Sequence, residues 1–276
     1  MFYTNAKGRN MAIVINPISP VAFSVFGLDI RWYALAYILA FVVGFWIFSR
    51  LARRTDSGLE ITKKQFDDFM TAIILGVVIG GRLGYVLFYN PGFFIAHPLE
   101  ILAIWHGGMS FHGGLIGVLV ANFIFTIRRH INGWRTLDLL AIVAPIGLFF
   151  GRIANFINIE VMGRPTTAPW GVIFRGVTET PVHPSPLYEA FGEGLVLFAL
   201  MYLLYKKTGL KSYPGALSGV LGMLYACIRI VCEFFRAPDA QIGFLTSWGL
   251  TMGQLLSCIM FICGVAIFTY SLTRSR

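Results

Sequence analysis

Apolar residues fall in seven long blocks separated by polar or glycine- and proline-rich stretches: Trp32 to Phe48, Phe69 to Tyr89, Phe111 to Ile127, Leu137 to Ile159, Leu187 to Tyr205, Gly215 to Phe235 and Trp248 to Leu272. A helix needs about 20 mostly apolar residues to cross a bilayer. Each block therefore predicts a transmembrane helix, and together they predict an all-α membrane protein forming one integral membrane domain over residues 1–276. The apolar piece Pro98 to Trp105 is too short to span and suits a re-entrant or interfacial segment. Pro165, Pro169, Pro181, Pro184 and Pro186 argue against a helix between Arg164 and Pro186. A small irregular or β-like outer arm is expected there, over residues 164–186. No soluble domain, low-complexity tract or internal repeat is evident, which counts against a transporter built from inverted halves.

Composition agrees, with 57% hydrophobic residues and a mean hydropathy of +0.72. The net charge of +9 does not point to nucleic acid, because the basic residues form short clusters between apolar blocks rather than one face. Arg50, Arg53, Arg54, Lys63 and Lys64 follow the first block, Arg128, Arg129 and Arg135 the third, and Lys206, Lys207 and Lys211 the fifth. Arg274 and Arg276 close the chain. These loops should face the cytoplasm, leaving the N-terminus and the alternate loops outside. Cys227, Cys232, Cys258 and Cys263 match neither a redox pair nor a zinc site, and are expected to be buried structural thiols. The segment Met1 to Asn10 lacks the apolar stretch of a signal peptide. A start at Met11 would make it a dispensable extension. Glycines four apart, at Gly76, Gly80 and Gly84, Gly113 and Gly117, Gly147 and Gly151, and Gly215 and Gly219, predict ridges for close helix packing.

Ionisable residues at membrane depth are costly and mark functional sites by default. Arg82, Arg152 and Arg229 lie inside predicted spans, with Arg236 at the outer end of the sixth. Arg229 can pair with Glu233 at i+4. Arg152 has no acidic residue one helical turn away, so its partner comes from another helix or from a ligand. A guanidinium fork suits phosphate oxygens, and in a bilayer the available phosphate is a lipid headgroup. The segment GGMSFHGG puts His112 at the mouth of the third span, where imidazole suits proton transfer. Ser110 lacks the GxSxG setting of a serine nucleophile. HPSPLYE adds His183, Tyr188 and Glu189. In EFFRAPDAQ, the charges of Glu233, Arg236 and Asp239 can compensate one another at the surface. GRIANFINIEVMGR closes the fourth block with Arg152, Asn155, Asn158 and Glu160, and Tyr33 reads as an interface aromatic. An outward-facing cavity for an anionic lipid headgroup follows, serving either an enzyme or a lipid- or anion-binding transporter.

The run Gly151 to Gly163 resembles the signature of the prolipoprotein diacylglyceryl transferase family, Gly-Arg-x-(Gly/Ala)-Asn-Phe-x-Asn-x-Glu-x-x-Gly. The resemblance extends through RWYALAY, GGRLGYVLFYN, GGMSFHGGLIG, HPSPLYE and VCEFFRAPDAQ. It implies a bacterial inner-membrane enzyme using no metal or soluble cofactor, and the basic-loop pattern then puts its N-terminus in the periplasm and its C-terminus in the cytoplasm. Its substrates would be phosphatidylglycerol and the lipobox cysteine of a preprolipoprotein signal peptide, and its products a thioether and glycerol phosphate. Carried over, it implies that Arg152 binds the lipid, with Asn155, Glu160 and Gly163 completing the signature. His112, Arg236 and Tyr33 match further positions important for activity, and His112 is a candidate general base. Arg82, Glu189 and Glu233 join the expected substrate-binding set. Pro186 and His106 stand where many members have other residues, and neither is given a role.

Overall fold

A computed structural model describes residues 2–4, 10–104, 107–238, 243–247 and 249–274. Trp105, His106, Asp239, Trp248 and Arg276, which the sequence reading drew on, lie outside the described residues. Among the described residues, seven helices are long and apolar enough to cross a membrane: α1 (Trp32–Ala52), α2 (Lys63–Phe88), α3 (Phe111–Arg128), α4 (Gly133–Ile157), α5 (Ser185–Lys207), α6 (Ala216–Glu233) and α7 (Met252–Arg274). Each coincides with a predicted block.

The boundaries shift where a helix extends into polar sequence. α2 begins at Lys63 rather than Phe69, because Thr62 and Gln65 form a capping box: Gln65 N–H donates to Thr62 Oγ1 at 3.2 Å, and Thr62 N–H donates to Gln65 Oε1 at 3.0 Å. α4 starts near Asn132, whose Oδ1 accepts the N–H of Trp134 at 3.0 Å.

The chain forms two compact units, residues 49–139 and residues 1–48 with 140–276. In the first, α2 and α3 meet through their glycine ridges. A Cβ on Gly76 would lie 2.6 Å from the Gly117 carbonyl oxygen, and one on Gly113 would lie 2.9 Å from the Gly84 Cα. The connection between these helices is neither a span nor a plain loop. It carries a short helix, Pro91–Ala96, and a 3-10 turn, Pro98–Leu102.

In the second unit, strand β1 (Phe2–Thr4) pairs antiparallel with β2 (Asn10–Ile15), and β2 pairs parallel with β5 (Val172–Phe174). The proline-rich arm is thus joined to the N-terminal segment, with Ile13 N–H donating to the Gly171 carbonyl at 2.7 Å. A hairpin of β3 (Val21–Val25) and β4 (Leu28–Arg31) leads directly into α1. α6 and α7 pack through Gly219 and Gly264, where a Cβ on either would stand 2.7 Å from the other's carbonyl oxygen.

Two expectations are corrected. Cβ atoms at Gly147 and Gly151 would meet nothing within 4 Å, since glycine spacing thins a helix face without supplying a neighbour. Cys232 is buried, but Cys227, Cys258 and Cys263 are exposed, and all four are free thiols. In lipid the exterior is as apolar as the interior, so an apolar side chain need not face inward.

Gly117→Val should lower stability by about 1–3 kcal/mol through overpacking against α2, and Gly147→Ala should leave the melting temperature in detergent unchanged or higher. Equal losses in the two variants would contradict this packing.

Candidate active site

A polar side chain in a membrane span must find its partners within the protein, because lipid offers none. The chain enters α5 at Ser185 and passes through a π-helical segment, Ala190–Val196. Such wide turns recur at functional sites. This one lies between Glu189 and the rest of the span and carries Glu193; neither glutamate exposes any side-chain surface.

Glu189 is the hub of an ion cluster. Its Oε2 lies 2.9 Å from Arg152 Nε, and its Oε1 lies 2.5 Å from Arg229 Nη1 and 3.4 Å from Arg236 Nη1. Glu193 lies 3.2 Å from Arg152 Nη2 and 3.2 Å from Arg229 Nη1. Arg229 Nη2 is 2.5 Å from Glu233 Oε2, the i+4 pair expected from the sequence. Three guanidiniums therefore face three carboxylates, and the partner of Arg152 comes from another helix. Glu233 and Arg236 are not compensating surface charges: Glu233 is buried, and Arg236 reaches across to Glu189.

Two further features hold this cluster. Thr251 Oγ1 donates to Glu233 Oε1 at 3.1 Å, and Thr251 and Gln254 cap the start of α7. A Cβ on Gly253 would lie 2.5 Å from Glu233 Oε1. The carboxylate thus rests on the first turn of α7, where the helix dipole favours negative charge, and a larger residue at Gly253 would have to displace it. Arg164 Nε donates to the Arg236 carbonyl at 2.8 Å and Nη2 to the Glu233 carbonyl at 3.4 Å, tying down the end of α6.

Beyond Ile157 the chain turns through Ile159 at φ 58° and Val161 at φ 49°. Such conformations cost a β-branched residue roughly 1–3 kcal/mol and persist only where the surroundings impose them. Here Glu160 N–H donates to the Asn155 carbonyl at 2.9 Å, and Ser185 Oγ donates to the Val161 carbonyl at 2.9 Å. Gly163 follows, bridged to Arg236, with its N–H donating to the His183 carbonyl at 2.9 Å. A Cβ there would stand 2.5 Å from that oxygen and 2.6 Å from the Phe235 oxygen, so the position requires glycine.

The turn presents Glu160 to Tyr33. The Tyr33 hydroxyl donates to Glu160 Oε2 at 2.7 Å. Asn155 Nδ2 donates to the same carboxylate oxygen at 2.9 Å and also to the Tyr33 hydroxyl. Asn158 Nδ2 lies 3.4 Å from Glu160 Oε1. Farther along the arm, His183 Nδ1 is 3.1 Å from the Tyr188 hydroxyl, which accepts the Trp170 indole N–H at 2.8 Å. Burial pushes the His183 imidazole below its ordinary value.

Arg82 and His112 belong to the unit of residues 49–139. Arg82 donates from Nε to the Ile101 carbonyl at 2.9 Å, from Nη1 to Gly107 at 2.5 Å and Gly108 at 3.1 Å, and from Nη2 to Glu100 at 2.5 Å and Ala103 at 3.3 Å. Those bonds occupy all the donors a guanidinium has. His112 is exposed in the first turn of α3, which Ser110 caps by accepting the Gly113 N–H at 3.2 Å. Sequence reasoning missed Glu193, although an ionisable residue inside an apolar block was signal enough. It also missed Arg164, Thr251 and Gly253, which no local pattern distinguishes.

Seven apolar helices and a buried arginine–glutamate cluster, all among the described residues, define a multi-pass α-helical membrane protein with a polar site inside its spans. The sequence model of the family described as prolipoprotein diacylglyceryl transferase matches residues 20–270. Similar proteins include the phosphatidylglycerol–prolipoprotein diacylglyceryl transferases of Rhodospirillum rubrum, 49% identical over 258 residues and 93% of each chain, and Azospirillum brasilense, 50% identical over 257 residues, 92% of this chain and 95% of the relative. That of Gluconacetobacter diazotrophicus is 47% identical over 264 residues, 95% of this chain and 93% of the relative. The chain belongs to the prolipoprotein diacylglyceryl transferase family.

Glu193→Ala should lower stability by about 3–5 kcal/mol, because it leaves buried guanidiniums uncompensated. Denaturation of the purified protein in detergent checks this, and a loss no greater than that of an exposed Glu60→Ala control would contradict the cluster.

Proposed function

We propose that this protein transfers the diacylglyceryl group of phosphatidylglycerol to the lipobox cysteine thiol of preprolipoproteins, forming a thioether and releasing glycerol phosphate. It is the first step of lipoprotein maturation. The observation that carries the reading is the convergence of Arg152, Arg229 and Arg236 on Glu189, in a chain about half identical to enzymes of that name. Displacement at the glyceryl carbon expels a phosphate monoester, and preorganised positive charge on its oxygens stabilises the leaving group.

The roles divide by charge and by exposure. Arg152, with 18% of its side chain exposed, and Arg236 take the phosphate. Arg229 is engaged by all three glutamates and holds the cluster together. Carboxylates repel a phosphate, so Glu189 and Glu233 are assigned to hold the arginines rather than to touch the lipid. Arg82, whose donors are spent on backbone carbonyls, is assigned to brace its own loop, and Gly163 to permit the strand crossing.

The protein lies in the bacterial inner membrane with its N-terminus in the periplasm and its C-terminus in the cytoplasm. The alternation of basic loops supports that orientation.

With phosphatidylglycerol and a lipobox peptide, the purified protein should yield the thioether and glycerol phosphate. Arg152→Ala should abolish both while the protein stays folded; near-normal turnover would remove Arg152 from the mechanism. In a background lacking the four native cysteines, a cysteine at Thr166 should be labelled from outside and one at Thr55 should not. The reverse pattern would overturn the orientation.

A further inference from the structure

Thioether formation needs a proton acceptor, since a thiolate and not a thiol is the nucleophile. Catalytic bases are ordinarily fixed by a third group that sets their orientation. His112, the candidate base from the family resemblance, is exposed and its side chain has no hydrogen bond among the described residues. The pair at the signature turn is built differently. Tyr33 donates to Glu160, and Asn155 donates to both. A phenol oxygen has one proton and two lone pairs. Its proton is directed at Glu160 and one lone pair at Asn155, so one lone pair is left for an incoming proton.

Position and strain point the same way. Asn155 lies three residues after Arg152 on α4, a spacing that puts both side chains on one helix face. The relay therefore stands next to the guanidinium assigned to the phosphate. Glu160 is exposed, and the residues on either side of it hold left-handed backbone that a merely structural turn would give to glycine or asparagine.

We propose that Tyr33 and Glu160 form the proton relay that deprotonates the substrate thiol, with Asn155 as the positioning residue that fixes both. As the sulfur attacks the glyceryl carbon bearing the phosphate, the C–S bond forms and the C–O bond breaks, its electron pair leaving with the phosphate oxygen. The thiol proton passes to the Tyr33 oxygen while the phenol proton passes to Glu160 Oε2. Glycerol phosphate departs with one more negative charge, and Glu160, open to solvent, returns its proton to water. No oxidant or further reactant is needed.

This relay rests on the transferase reading above, and the test separates the two. Lipobox peptides carrying either cysteine or selenocysteine are assayed with phosphatidylglycerol. A selenol is already ionised at neutral pH and needs no base. Glu160→Gln and Tyr33→Phe should lose roughly 100-fold or more in kcat on the cysteine peptide, the scale of general-base catalysis. They should keep the KM for phosphatidylglycerol and run close to the wild-type rate on the selenocysteine peptide. Equal losses on both peptides would reduce the pair to a structural role and overturn the relay. Selective loss in His112→Gln, with none in Glu160→Gln, would place the base at His112 and likewise overturn it. If wild-type protein itself released no glycerol phosphate from either peptide, the transferase reading would be the one to fail.

Discussion

Six ionisable side chains set among apolar helices must neutralise one another, and Glu189 is where that constraint is met. Arginines from α4, from α6 and from just beyond α6 all reach its two oxygens. Removing charges from water costs several kcal/mol per ion, repaid only when partners stand in good geometry. The constraint therefore fixes more than the cluster itself. It ties α5 to α4 and α6, partly through Glu193 in the π-helical segment. It also draws the start of α7 onto Glu233. Arg152 forms the more open edge of the cluster, with 18% of its side chain exposed.

The signature turn adds a second layer. Its strained residues hold Glu160 against Tyr33, and Gly163 then lets three backbone segments cross where no Cβ fits. Arg164 closes that crossing onto the end of α6. One short stretch of sequence thus supplies an arginine of the ion cluster, a hydrogen-bonded carboxylate and the backbone anchor of Arg236. This explains why polar residues stand where an apolar ending would be cheaper for a membrane helix.

The spans were legible because a bilayer imposes a length of apolar sequence and little else. Their ends were less so, since α2 and α4 extend into polar turns governed by Thr62, Gln65 and Asn132. Arg152 was legible as a residue needing a distant partner, but the partner was not. Glu193 is 41 residues away and is brought in only by tertiary packing. The same limit applies to glycine spacing: Gly76 and Gly117 meet across a helix pair, and Gly147 with the same pattern meets nothing. The joining of the outer arm to the N-terminal strand is also long-range, set by the pairing of Ile13 with Val172. Burial rules carried over from water misplaced three cysteines, because lipid imposes no inward preference on an apolar side chain.

The central claim is that the carboxylate-held arginines receive the lipid phosphate. A structure of the protein in a phosphatidylglycerol bilayer tests it directly. The account predicts a phosphate oxygen about 3 Å from Arg152 or Arg236 nitrogens, with Glu189 still paired to Arg229. A headgroup phosphate bound elsewhere, with the cluster closed to lipid, would contradict it.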